Sequence, residues 1–201
     1  DDVSITGTSG VNVSAGVWLE GPFVSGPVLM YDSLRVKGMI PTTEPYTGLG
    51  FANAGGGGGE TTTAGVLAVS GANAIVDWVR LELRSSSDAA AILATRQCLV
   101  QRDGDVVATD GVSPVTFNVG VGNYYVAIRH RNHLGCMTAS PVALSGTPAA
   151  VNFRSSGTAT YGTEARRSVG GPMALWSGNT YRDPVPPFLL KYTGDFNDRD
   201  P

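Results

Sequence analysis

The sequence predicts an all-β antiparallel sandwich. Apolar and polar residues alternate with period two along several short stretches, the mark of strands that turn one face to a core. Turn signals such as Asp103-Gly104 and Asp110-Gly111 recur every ~8–12 residues. Helical periodicity is nearly missing: its best run, Ser87 to Ala91, is too short to propagate alone.

Val11 to Glu20 forms the first expected strand, with Val13, Val17 and Leu19 apolar. Residues 21–63 are rich in Gly, Pro and Thr and end near five consecutive glycines, Gly55 to Gly59. So long a stretch without periodicity is expected to pack on the sheet or serve function. Val66–Val69 and Ala74–Val76 lead into the main sheet. Asp77–Arg84 follows as a half-buried strand, with Val79, Leu81 and Leu83 on one face and Trp78, Arg80, Glu82 and Arg84 on the other. Ile92–Gln101 and Val106–Thr109 read as a hairpin closed by Asp103-Gly104. Val115–Val119, Tyr124–Arg131, Met137–Leu144 and Ala150–Phe153 complete the series. The expected organisation is an N-terminal strand and excursion over residues 1–64, a sandwich core over 65–155, and a loop-rich extension over 156–201.

The composition excludes several classes. The chain has 201 residues, 15% of them charged, a net charge of -3 and 42% hydrophobic residues. That hydrophobic content is too high for a disordered chain. Positive charge gathers in no basic patch, so nucleic acid is not an expected partner. No apolar run approaches the length of a membrane-spanning helix. Lysine is scarce, only Lys37 and Lys191. The start at Asp1-Asp2-Val3 suggests a processed or trimmed secreted protein.

Several strings carry a resemblance. They include L-E-G-P-F (19–23), T-E-P-Y (43–46), G-G-G-G-G-E-T (55–61), I-V-D-W-V-R-L-E-L-R (75–84) and A-T-R-Q-C-L-V-Q-R-D-G-D-V-V (94–107). D-G-V-S-P-V-T-F (110–117), N-Y-Y-V-A-I-R-H-R-N-H-L-G (123–135), M-T-A-S (137–140), A-L-W-S-G-N-T (174–180) and K-Y-T-G-D-F-N-D-R-D-P (191–201) continue the set. In this order they resemble a hemagglutinin-like or adhesin-like module near the C-terminus of large secreted surface proteins of Bacteroidetes-type bacteria. The stretch around Val115 to Arg129 also resembles the hairpin of transthyretin-like and collagen-adhesin B-type modules. The resemblance implies an immunoglobulin- or transthyretin-like sandwich in an extracellular, non-catalytic module. In that family the positions of Cys98 and Cys136 are usually apolar. Their joint change, in a chain that looks secreted, leads to an expected Cys98–Cys136 disulfide.

The remaining candidate residues are weighed on their chemistry. Asp195, Asn197, Asp198 and Asp200 place several oxygen donors close together, as calcium requires; the plainer reading is a solvated tail. Tyr181 stands where a dockerin-like loop would carry its third-position oxygen ligand, which argues against calcium there. His130 and His133 form H-x-x-H, but at a strand end residues three apart are expected to face opposite ways. Arg80, Arg84, Arg129 and Arg131 against Glu82 read as a charge ladder on a solvated face. Trp18, Trp78 and Trp176 with Tyr46, Tyr124 and Tyr125 could form a sugar platform, although Trp78 is better placed to pack under the excursion. No G-x-S-x-G elbow occurs, the glycine run lacks the G-K-[ST] ending of a phosphate loop, and Asp103 and Asp105 are explained by their turn. The functional expectation is a non-catalytic subunit of a surface fibre, sheath or adhesin that needs no cofactor. Its partners would be its own copies or neighbouring surface modules, joined by strand addition through Val3, Ser4, Ile5 and Thr6. The alternative is a carbohydrate-binding accessory module with glycan partners.

Overall fold

The computed structural model describes residues 10–178. Strands take 41% of the described residues and helix 5%, so the all-β class holds. The elements in order are β1 (Val11–Gly16), β2 (Phe23–Val24), β3 (Leu29–Met30), α1 (Ser33–Val36), α2 (Ala64–Leu67), β4 (Ile75–Ser85) and β5 (Ile92–Gln101). Then come β6 (Asp105–Val107), β7 (Val115–Phe117), β8 (Gly122–His130), β9 (His133–Met137) and β10 (Val142–Leu144). β11 (Ala149–Asn152), β12 (Arg167–Ser168) and β13 (Met173–Ala174) end the series.

Nine strands form one sheet in the order β10-β8-β4-β5-β6-β1-β11, with β7 on β1 and β9 on β8. Its pairings are antiparallel except β1 with β11, which run parallel from Val13/Ala149 to Gly16/Asn152. Among the described residues the sheet does not close into a barrel. Apolar side chains from both ends of this path, Val11, Val13 and Val151 with Val79, Leu81 and Ile128, belong to one buried cluster. That arrangement is consistent with the expected sandwich.

Three expected elements differ. Met137–Leu144 is two strands, β9 and β10, interrupted where Pro141 removes a ladder donor. Residues near Val66 form one helical turn instead of extended chain, started by the Thr63 hydroxyl, which accepts from the Val66 amide at 3.2 Å. Asp77–Arg84 lies in β4, which is buried on both faces rather than half-buried. The excursion supplies the second cover. Ile40, Tyr46, Ile75, Trp78, Leu99 and Val107 make a separate small core beneath it. Trp78 donates its indole N–H to the Pro41 carbonyl at 2.8 Å, and the Tyr46 hydroxyl donates to the Trp78 carbonyl at 2.9 Å. Both rings are fully buried with their polar atoms satisfied.

The five glycines have a structural task. They pass over β5 where, among the described residues, its edge has no partner strand. The Thr95 amide donates to the Ala54 carbonyl at 2.9 Å, and the Gln97 amide donates to Glu60 Oε1 at 3.2 Å. An unpaired edge is thereby closed. A Cβ on Gly55 would meet that of Ala94, and one on Gly57 would fall inside the Thr95 carbonyl. Gly58, at φ 101°, adopts backbone that side chains rarely allow.

Candidate functional site

His130 ends β8, His133 begins β9, and only Arg131 and Asn132 lie between them. A two-residue hairpin sets its flanking residues opposite each other, so His130 pairs with His133 across the turn. The two rings therefore meet, with Nδ1 atoms 2.9 Å apart. The expectation that they face opposite ways fails because residue parity applies along one strand and not across a turn. Asp77, near the start of β4, lies 3.1 Å from His130 Nε2 through its Oδ2. Its Oδ1 accepts from Arg131 at 2.7 Å and from the Trp78 amide at 2.8 Å.

Two backbone amides fix the tautomers. The Gly21 amide donates to His133 Nε2 at 3.3 Å, so the His133 proton sits on Nδ1. The Asn132 amide donates to His130 Nδ1 at 3.1 Å, so the His130 proton sits on Nε2. The chain then runs from Gly21 through His133 Nδ1–H to His130 Nδ1, and from His130 Nε2–H to Asp77. Burial pushes the His133 imidazole down to about 3. Burial would raise the Asp77 carboxyl, but the His130 hydrogen bond and the Arg131 charge outweigh it and hold the group below its usual range. A cavity of about 300 Å³ adjoins the cluster, lined by Leu19, Tyr31, Ser33, Asp77, His130 and His133. Every ring nitrogen is engaged by the fold, so the cluster ties the excursion to the β8–β9 hairpin and β4. Among the described residues no three His, Cys, Asp or Glu side chains converge to hold a metal.

The inner members of the charge ladder are likewise not solvated. Arg80 and Glu82 are 1% and 0% exposed beneath residues 51–53. Arg80 Nε donates to Glu82 Oε1 at 3.0 Å and Arg84 Nη2 to Oε2 at 2.6 Å, while Arg129 Nη1 stands 3.6 Å from Oε1. Arg80 also donates to Asn53 Oδ1 at 3.0 Å and to the Ala52 carbonyl. Burial works against the Glu82 charge, but the arginines overcome it and keep the carboxyl below its usual range. One carboxylate thus faces three guanidinium groups. On the outer side Arg84 and Arg129 line a second cavity of about 430 Å³ with Tyr161 and Met137.

Cys98 and Cys136 are buried free thiols, not a disulfide. Cys98 on β5 pairs with Val79 of β4, and Cys136 on β9 pairs with Ile128 of β8. β4 and β8 lie between them, which separates the two by about 14 Å at ordinary strand spacing. A disulfide requires Cα atoms within about 7 Å. The Cys98 thiol instead donates to the Val79 carbonyl at 3.5 Å. The proposed sugar platform does not form either. Trp18, Trp78 and Tyr46 are buried, and Trp18 is enclosed by Phe23 and Arg154. Asp195, Asn197, Asp198 and Asp200, and the strand Val3, Ser4, Ile5 and Thr6, lie outside the described residues.

The chain thus combines an all-β fold, a buried Asp-His-His chain and a glycine loop on a strand edge. No family model matches the chain, and no curated protein or solved structure emerged as a relative.

Proposed function

We propose that the chain is a non-catalytic structural or adhesive module of an extracellular bacterial surface, a subunit of a fibre, sheath or adhesin. The observation that carries this reading is the parallel pairing of segments near the start of the described residues with segments in their C-terminal part. β1 runs parallel to β11, and Leu19 forms a parallel bridge with Leu175, whose amide donates to the Trp18 carbonyl at 2.8 Å. Opposed pulling on the two ends loads such bonds together in shear rather than one at a time. That geometry suits a module that transmits tension between neighbours. The internally closed Asp77–His130–His133 chain supports the same reading, because the cluster best equipped for proton transfer is spent on holding segments together.

Strand addition through Val3 to Thr6 would join copies, and calcium is not required. Electron microscopy of native material, with sizing of the purified chain, tests the reading. Repeating assemblies that disappear on deletion of residues 1–9 are expected. A chain that stays monomeric at every concentration, or that turns over polysaccharide, peptide or ester substrates, would overturn it. A second reading, a carbohydrate-binding accessory module, is favoured by the arginine-lined cavity.

A further inference from the structure

We infer that the cavity between the turn after β4 and strand β9 binds a carboxylate-bearing sugar, a uronic acid or similar sugar acid of an acidic glycan. The inference rests on the carbohydrate-binding reading for the sugar and on the cavity's own charge for the acid.

The charge arises from an imbalance built into the sheet. β4 presents Arg80, Glu82 and Arg84 in succession on one face, and β8 sets Arg129 directly opposite Arg80. Three guanidinium groups share one carboxylate, so the cluster keeps a surplus of two positive charges. Arg80 is sealed beneath the excursion, which leaves the surplus to be expressed at the outer side by Arg84 and Arg129. Arg84 is committed: it holds Glu82 through two nitrogens and donates its third to the Ala89 carbonyl at 3.1 Å. Arg129 is different. Its side chain is 46% exposed, and its closest approach to Glu82 is 3.6 Å, beyond hydrogen-bond reach. Its flat fork is offered to an incoming acid with geometry suited to a bidentate carboxylate. The Phe51 ring, 5.6 Å from the guanidinium carbon, steadies it.

The rest of the lining suits a sugar ring. The cavity holds about 430 Å³, and among the described residues no Asp or Glu lines it. That volume falls within the range of small-ligand sites, roughly 300–1,000 Å³. Ala89, Ala90 and Met137 give an apolar floor. Tyr161 stands at the rim, 58% exposed, with its ring steadied edge-on by Tyr125 at 6.5 Å. An exposed aromatic face at the mouth and a guanidinium fork inside match a pyranose that carries a carboxylate. A bare inorganic anion would use the arginine and leave the tyrosine idle.

The test titrates the full chain with galacturonate oligomers, neutral galactose oligomers and inorganic sulfate, followed by calorimetry. Binding of the acidic oligomers alone, weakened by added salt, is expected. Arg129→Ala should weaken it about tenfold or more, the loss of one charge-assisted contact, and Tyr161→Ala several-fold. Both variants should remain folded with a cooperative urea transition, since neither residue is buried. Equal binding of the neutral oligomers, or no effect of either substitution, would overturn the inference. Sulfate binding as tight as galacturonate would overturn the sugar assignment. Assembly is read separately by microscopy, so failure at this cavity and failure of the structural reading are distinguishable.

Discussion

Lowering the pH from 7.5 to 4.5 is expected to destabilise the fold chiefly through His133. In the folded protein burial pushes this imidazole down to about 3, from an ordinary value of 6.5. Between those values the unfolded chain binds a proton that the folded chain refuses, so stability falls as pH falls. The contribution is complete above pH 6.5 and is lost progressively toward pH 3. At about 1.4 kcal/mol per pH unit, acidification to pH 4.5 costs about 3 kcal/mol, and the whole window about 5 kcal/mol. Against a total stability of about 5–15 kcal/mol this is a large fraction. Urea unfolding followed by fluorescence of the buried Trp18 and Trp78 reads it. With a slope of about 2 kcal/mol per molar, the midpoint should drop by about 1.5 M between pH 7.5 and 4.5. His133→Gln keeps an acceptor for the Gly21 amide but loses the donor to His130. It should start about 1 kcal/mol less stable at pH 7.5 and then stay nearly level to pH 4.5. Below about pH 4 both proteins should weaken, because the Asp77 carboxyl takes up a proton in the unfolded chain while the fold holds it below its usual range. Parallel pH profiles for the two proteins would refute the assignment of this dependence to His133.

Gly57→Ala should cost about 1–3 kcal/mol by driving a methyl group into the Thr95 carbonyl. Gly26→Ala, in open space, serves as the control, and equal midpoints for the two would sink the steric account. Glu82→Gln should destabilise by about 3–5 kcal/mol, since three arginines lose their shared anion; a change within experimental error in the urea midpoint would show that the buried charge does not matter. Intact mass should be the same before and after reduction, and a thiol reagent should modify Cys98 and Cys136 only in denaturant. Both are buried, and burial pushes the Cys136 thiol up to about 12. A gain in mass on reduction would reinstate the disulfide.

The strands were the most legible feature. Ile92–Gln101 has the same bounds in sequence and structure, because a run of alternating residues between two turns has little freedom to be anything else. Val79, Leu81 and Leu83 do face the main core, as their parity requires. Cys98 and Cys136 also both belong to that core. Parity says which face a side chain takes, however, and nothing about how many strands separate it from another. The five glycines were visible as an anomaly, but their reason, the edge of β5, lies some forty residues away.

The sequence by itself therefore determined the all-β class, the position of most strands and, within a strand such as Asp77–Arg84, which residues share a face. These follow from a side-chain period that belongs to each strand alone. Tertiary structure decided the rest: that His130 and His133 meet across a hairpin beside Asp77, that the excursion buries Arg80 and Glu82, and that β4 and β8 keep the two thiols apart. Lateral order and cover depend on contacts between residues far apart along the chain. Local alternation carries no record of them.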